Sequence, residues 1–364
     1  PANWINDPNG FCFYKGEYHL FYQYHPYSSQ WGPMHWGHVA SKDLADWEHR
    51  PIALAPTDEY DKDGCFSGSA IENDGKLYLL YTGHVDLDNS NGGNDRIETQ
   101  CLAVSDDGKH FEKVENNPVI KALPENLNIR TEHFRDPKVW KHGDWYYTVV
   151  GVQTKEESGQ VVVYKTQDLI NWEFLNIMAT SSVKENLGFM WECPNFAEVN
   201  GHEALILSPQ GVKSEGNKFL NVHQSGYFLG KMDYQTGIFH RDSKFDLLDY
   251  GFDFYAPQIM QDEKNNRCLM IAWLDMWESN MPEQENHWAG MMSIPRVLKV
   301  ENNMIYSKPA DELSKLHKSK VHHEQIIKEA TSFDDVNGDC YQLDIDFDLE
   351  KAQGFILKLR VSNT

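Results

Sequence analysis

Three carboxylates stand where a β-rich chain would be expected to place apolar side chains. Asp7 lies in Asn6-Asp7-Pro8-Asn9-Gly10, Asp136 in Phe134-Arg135-Asp136-Pro137, and Glu192 in Trp191-Glu192-Cys193-Pro194. A buried carboxylate is costly unless it is paired or put to use. A single one could serve a structural ion pair, but three at matched positions of a repeat point to a site. Two carboxylates facing across a sugar are the minimum for glycoside hydrolysis. One acts as general acid, and the other as nucleophile or as base for water, with a carboxyl separation of about 5 Å for retention and more for inversion.

The positions are matched because the chain repeats. Five segments open alike: Asn6-Asp7-Pro8-Asn9-Gly10, Cys65-Phe66-Ser67-Gly68-Ser69, Phe134-Arg135-Asp136-Pro137, Trp191-Glu192-Cys193-Pro194 and Asp253-Phe254-Tyr255-Ala256-Pro257. Each continues into a turn and a second apolar run. From Asp7 through Ser67, Asp136 and Glu192 to Tyr255 the steps are 60, 69, 56 and 63 residues, enough for four strands each. Repeated four-stranded units arranged radially make a β-propeller, and five echoes make five blades. Tandem β-sandwiches are the competing architecture, with repeats that are usually longer. In a propeller the first strands line the central channel, so these five residues are expected to meet at one of its mouths. The propeller is expected over residues 1–307 and a charged linker over 308–330, where ADELSKLHK reads as a short helix. Residues 331–364 alternate like strands and are expected to begin an incomplete β-sandwich. The fold class is thus all-β, a five-bladed propeller followed by a sandwich.

Composition narrows the partners. The 364 residues carry 33 Lys+Arg against 55 Asp+Glu, a net charge of -22. Such a chain is repelled by phosphate backbones and anionic lipid, so neither nucleic acid nor membrane is expected as a partner. The six cysteines lie 36 or more residues apart and make neither a disulfide framework nor a zinc pattern, so free thiols in a reducing compartment are expected. The sequence has no N-x-S/T acceptor and its opening Pro1-Ala2-Asn3-Trp4 is not a signal peptide, both in keeping with a cytoplasmic protein, although a start inside a motif suggests residues upstream. His35-x-x-His38 lacks the spacing of an H-E-x-x-H zinc site and is expected to be structural. Asn91-Gly92-Gly93-Asn94 lacks the Lys-Ser/Thr of a phosphate loop and is expected to be a flexible loop. No metal and no cofactor is expected.

Taken together, WINDPNG at 4–10, FYQYHP at 21–26, HWGH at 35–38, FSGSA at 66–70, FRDP at 134–137, WECP at 191–194 and DFYAPQ at 253–258 resemble glycoside hydrolase family 32, the β-fructofuranosidases, in order along essentially the whole chain. The resemblance implies a five-bladed propeller and a β-sandwich. It implies a retaining hydrolase of the terminal β-D-fructofuranosyl bond in sucrose, sucrose 6-phosphate or short fructo-oligosaccharides. Asp7 is then the expected nucleophile and Glu192 the acid/base. Asp136 is expected to hold fructose hydroxyls and stabilise the oxocarbenium-like transition state. Arg135 is expected to keep Asp136 ionised, and Cys193 to tune its neighbouring carboxyl. Trp4, Asn6, Gln23, Trp31, Phe66, Ser67, Arg135, Tyr255 and Trp277 match substrate-binding positions; their amides, hydroxyls and rings suit a sugar.

The alternatives are a fructosyltransferase on the same site, a non-catalytic fructan-binding propeller and an inverting arabinan-type enzyme. Oligomeric state is left open. A phosphorylated substrate would need cations such as Arg96, Arg130 and His133, with His84 nearby, whereas a neutral one would use Trp31, Trp277 and Trp288. The reading leans to the neutral substrate.

Overall fold

A computed structural model of the chain describes residues 2–87, 95–182, 184–338 and 340–359. The expected loop at Asn91-Gly92-Gly93-Asn94 lies outside them. The chain divides into two compact units, residues 1–315 and 316–364.

The first unit is a five-bladed β-propeller, the four main strands of each blade following one another along the chain. Blade 1 is β1 (Asn3–Tyr14), β2 (Glu17–His25), β3 (His35–Ser41) and β4 (Trp47–His49). Blade 2 is β5 (Gly64–Asn73), β6 (Lys76–Asp86), β7 (Arg96–Ser105) and β8 (Glu112–Lys113). Blade 3 is β9 (Ile129–His142), β10 (Trp145–Thr154), β11 (Gly159–Thr166) and β12 (Glu173–Thr180). Blade 4 is β13 (Met190–Val199), β14 (His202–Gln210), β15 (Gly226–Asp233) and β16 (Ile238–Arg241), with the short β17 (Asp246–Leu247) also on β15. Blade 5 starts with β18 (Tyr255–Asp262) and β19 (Arg267–Leu274). The chain then leaves it to lay β20 (Trp288–Ala289) parallel to Asn3 and Trp4 of blade 1. It returns through β21 (Met291–Met292), β22 (Arg296–Glu301) and β23 (Met304–Pro309).

Both faces of each sheet are covered, so the middle strands read as unbroken apolar runs rather than alternations; Tyr146–Thr154 of β10 is buried throughout. Separate cores fill the gaps between neighbouring blades. Leu77, Leu79 and Cys65 pack with Phe21 and Trp36 between blades 1 and 2. Val149 and Val161 pack with Phe196 and Leu205 between blades 3 and 4. Phe11 and Leu20 pack with Leu269 and Ile271 across the seam between blades 1 and 5. The two histidines of HWGH belong to this interior: His35 bonds the Pro33 carbonyl, and His38 stacks on Phe21 with ring centroids 4.2 Å apart. All six cysteines are free.

The innermost strands are tied to one another by side chains. Asn9 Oδ1 accepts from the Gly68 amide at 3.2 Å. The Ser69 hydroxyl donates to the Pro137 carbonyl at 2.8 Å and accepts from the Val139 amide at 2.9 Å. Lys138 Nζ donates to Gln258 Oε1 at 2.8 Å and to the Ile259 carbonyl, and Gln258 Nε2 donates to the Gly68 carbonyl at 3.3 Å. Asn195 gives one amide to the Pro257 carbonyl at 2.8 Å and accepts from the Ile259 amide at 3.1 Å. These bonds satisfy backbone groups on the inner edges that no ladder reaches.

In the second unit the alternating residues 331–359 form no strand among the described residues, and VHHEQIIKEA forms neither helix nor strand. An alternating segment becomes a strand only when a neighbour takes up its backbone groups. The short helix expected at ADELSKLHK is a 3-10 turn, Asp311–Leu316, reaching just past the end of the first unit.

Asn195 is fully buried. Asn195→Ala should therefore lower the unfolding free energy by about 2–4 kcal/mol, because it removes bonds to three backbone groups, the Cys193 and Pro257 carbonyls and the Ile259 amide. Urea denaturation measures this, and a loss below about 0.5 kcal/mol would mean that the ring of bonds around the axis is not a source of stability.

Candidate active site

The same local device places a functional side chain on all five inner strands. Each carries an extra residue against its neighbour at one matched point, between Ile5 and Pro8, Phe66 and Gly68, Arg135 and Lys138, Glu192 and Asn195, and Tyr255 and Gln258; β1 and β9 have a second register shift each. Such a bulge breaks strict alternation and re-aims side chains. Three of the five enclose a proline and the first ends on one, a residue with no amide hydrogen to lose from the ladder. Asp136, Cys193 and Ala256 stand directly before three of these prolines with φ of 66°, 45° and 49°. Left-handed backbone costs a non-glycine residue on the order of 1–3 kcal/mol and persists only when its surroundings over-determine it. Here the Asp136 amide donates to Thr82 Oγ1 at 3.0 Å, and the Cys193 amide donates to Asp136 Oδ2 at 2.9 Å.

The three carboxylates meet. Asp7 Oδ2 accepts from the Ser67 hydroxyl at 2.6 Å and from the Cys193 thiol at 3.3 Å, and its Oδ1 accepts from Asn6 at 3.1 Å. The same thiol lies 3.6 Å from Asp136 Oδ2 and so joins the two aspartates. Glu192 is gripped on both oxygens. Arg135 donates to Oε1 through Nε at 3.1 Å and Nη2 at 2.8 Å, and the Tyr255 hydroxyl donates to Oε2 at 2.7 Å. Burial pushes the Asp7 carboxyl up, and the Glu192 charge adds to this, against the bonds from Ser67, Asn6 and Cys193. Burial likewise pushes Asp136 up, with the charges of Glu192 and Asp7 adding.

Arg135 favours the charged form of Asp136, as its place in the sequence suggests, but its hydrogen bonds go to other carboxylates. Burial outweighs that pull, and the guanidinium itself bonds Glu192 and, through Nη1 at 3.3 Å, Glu98. Glu98 on β7 is a residue that the repeat argument missed, since it looked only at first strands. Its one signal is a lone carboxylate inside an otherwise buried strand, Thr99-Gln100-Cys101-Leu102-Ala103 following it.

The remaining predicted residues divide into two groups. Close to the carboxylates are Asn6, Ser67, Tyr255 and Arg135, and Trp4, whose Nε1 donates to Asn6 Oδ1 at 2.7 Å. Trp277 stacks on Trp4 at 5.8 Å and is half-buried. Phe66 lies flat on His84, with centroids 4.0 Å apart and planes 9° apart, and Trp31, 46% exposed, meets Phe66 edge-on. Gln23 is buried with its amide on the Cys65 carbonyl at 3.0 Å. Among the described residues no group of three or more His, Cys, Asp or Glu side chains is arranged to hold a metal ion, and no helix is long and apolar enough to cross a membrane.

The candidate cations are already engaged. Arg130 pairs with Glu157 at 3.1 Å, and Arg96 lies 3.7 Å from Glu98. His84 Nε2 is 3.0 Å from Asp86. His133 faces Arg135 at 3.1 Å and Arg96 at 3.4 Å; burial, reinforced by these two cations, pulls it down to about 4.

A family model described as the N-terminal domain of the family 32 glycosyl hydrolases matches residues 1–309. A sucrose-6-phosphate hydrolase of Zymomonas mobilis is 43% identical over 363 residues, spanning 97% of this chain and 69% of the relative. One from Escherichia coli is 46% identical over 317 residues, 87% of this chain and 64% of the relative. Among solved structures, a Bombyx mori GH32 β-fructofuranosidase mutant in complex with sucrose has a TM-score of 0.81 at 43% identity, covering 88% of this chain and 66% of that one. The chain thus spans about two thirds of the length of these relatives.

The raised aspartates set a pH dependence. Their folded forms hold protons more tightly than the unfolded chain does. The stability they contribute is therefore complete below the ordinary carboxylate range near pH 4 and is lost as pH rises through the raised values. Without ligand the protein should lose stability between pH 4 and pH 8, and Asp136→Asn should flatten that decline by about 1 kcal/mol or more. Denaturant titrations across this range measure both slopes; equal slopes would rule out burial of Asp136 as the cause.

Proposed function

Because the chain belongs to glycosyl hydrolase family 32, we propose that it is a retaining β-fructofuranosidase acting on sucrose or short, unphosphorylated fructo-oligosaccharides. The observation that carries this reading is the pairing of two differently held carboxylates on the inner strands of one ring. Asp7 receives hydrogen bonds from Ser67, Asn6 and Cys193, and Glu192 is held between Arg135 and Tyr255.

Asp7 attacks the anomeric carbon while Glu192 gives its proton to the departing glycosidic oxygen. Glu192, now a carboxylate, then takes a proton from water as the water displaces the fructosyl group from Asp7. The bonds to Asp7 orient the attacking oxygen. Asp136 accepts bonds from fructose hydroxyls and places negative charge near the developing oxocarbenium. Asn6, Gln23 and Ser67 supply polar partners to the sugar, and Trp4, Phe66 and Trp277 pack on its apolar face, with Trp31 further out.

The neutral substrate follows from the cations. A phosphate bound by a protein of net charge -22 needs a local uncompensated positive group, since screening limits the reach of other charges to roughly 8–10 Å. Arg96, Arg130 and Arg135 all face carboxylates, and His133 is held neutral. Exposed and half-buried rings are present instead. Free cysteines and the lack of glycosylation acceptors support a cytoplasmic location, and the alternation of residues 331–364 supports the start of a β-sandwich.

Asp7→Asn should remove hydrolysis by several orders of magnitude with the fold retained. Glu192→Gln should slow fructosides with poor leaving groups more than those with good ones, because only the former need the proton. Steady-state kinetics on sucrose and on an aryl β-fructoside test both, and equal losses on the two substrates would remove Glu192 from the acid role. Sucrose should be hydrolysed with a kcat/KM at least comparable to that for sucrose 6-phosphate. A preference of a hundredfold or more for the phosphate, about 2.7 kcal/mol, would overturn the neutral-substrate reading.

A further inference from the structure

We propose that Glu98 is a positioning residue for the hydrolysis, a permanent counter-anion that lets Arg135 hold Glu192 in both of its protonation states. The inference rests on the reading of Glu192 as acid/base.

Glu98 lies on β7 of blade 2, Arg135 on β9 of blade 3 and Glu192 on β13 of blade 4, so the three side chains form a chain across three blades. The Glu98 side chain is fully shielded from water. One of its oxygens accepts from the Phe134 amide at 2.8 Å and from Arg135 Nη1 at 3.3 Å. The other has no hydrogen-bond partner and lies 3.7 Å from both Arg96 Nε and His84 Nδ1. Burial opposes its ionisation, but the charge of Arg135 above all, helped by His84, Arg96 and the Phe134 amide, holds it at about 2. Glu98 is thus a permanent anion shielded from solvent.

Joining the strands does not require this charge. The same edge of blade 2 is already bound to β9 by two neutral bonds, from Gln100 Nε2 to the Phe134 carbonyl at 2.7 Å and from the Asp136 amide to Thr82 Oγ1 at 3.0 Å. What it adds concerns Arg135. In each catalytic cycle Glu192 alternates between carboxylic acid and carboxylate. When Glu192 is ionised, it balances Arg135. When Glu192 carries its proton, Arg135 loses a hydrogen-bonded counter-charge while still buried, which is disfavoured. Without Glu98 the arginine would have only Asp136 and Glu192 to balance it, and its pull on Glu192 would favour stripping the proton that the leaving group needs. Glu98 removes that conflict, because it keeps Arg135 balanced while the acid is loaded. It also fixes one edge of the guanidinium, so that Nε and Nη2 point at a single oxygen of Glu192 and leave the other to Tyr255.

The test is the pH profile of kcat/KM for sucrose in wild type, Glu98→Gln and Glu98→Asp. In Glu98→Gln the field of Arg135 falls more strongly on Glu192 and favours its carboxylate. The alkaline limb should move to lower pH by about one unit, a roughly tenfold loss at a fixed pH on that limb. The loss should be smaller for an aryl β-fructoside, which needs less protonation. Glu98→Asp keeps the charge but draws it back by one methylene, and should restore most of the wild-type profile. Should the glutamine variant fail to fold, the aspartate variant alone must show a displacement of the alkaline limb in the same direction. A uniform loss at every pH, or a profile that superimposes on wild type, would overturn the proposal and leave Glu98 a structural residue. If the wild type itself releases no fructose from sucrose or from the aryl fructoside, the fructosidase reading fails first; if it is active and the limb stays in place, only the role of Glu98 fails.

Discussion

Three carboxylates of like charge are brought together in a nearly dry centre, and most of what surrounds them exists to make that tolerable. Each anion in such a place raises the free energy of the others. The structure answers with short, directed donors rather than with bulk solvent: the Ser67 hydroxyl and Asn6 amide on Asp7, the Cys193 amide on Asp136, and Arg135 with Tyr255 on Glu192. The Cys193 thiol joins two of the three. These donors come from all five inner strands, so the charge cluster is satisfied only when every blade is in place. Site and ring are therefore one cooperative structure.

Much of this was legible in the sequence because the chain repeats. Five related openings at 56 to 69 residues fixed the number of blades, and the shared register singled out Asp7, Ser67, Asp136, Glu192 and Tyr255 together. The same residues lie on the five inner strands in the structure. Proline after Asp7, Asp136, Cys193 and Ala256 was visible too, but its meaning was not: the bulges appear only when the strand partners are known, because a bulge is a property of a pair of strands.

What stayed hidden follows from the same limit. Arg135 precedes Asp136, and adjacency in sequence suggested a charge pair between them. At the bulge the guanidinium instead crosses to the next blade, and its second partner, Glu98, comes from a third strand whose neighbours are set by the ring. Nor does alternation alone make a strand: residues 331–359 carry the pattern and remain without one, whereas the apolar runs of β10 and β14 form strands with hardly any alternation because sheets cover both faces.

The ring closes through one short strand, β20, that the chain of the last blade lends to the sheet of the first. Its seam is held by the core between blades 1 and 5 and by a two-residue parallel pairing, Asn3 and Trp4 against Trp288 and Ala289. Trp4 is also the residue that bonds Asn6, which in turn bonds Asp7, and it is the face on which Trp277 rests. The clasp of the ring and the mounting of its principal carboxylate are thus the same few atoms. A loosened clasp would blunt the chemistry while the other four blade junctions were still intact, so the first casualty of partial opening is function rather than fold.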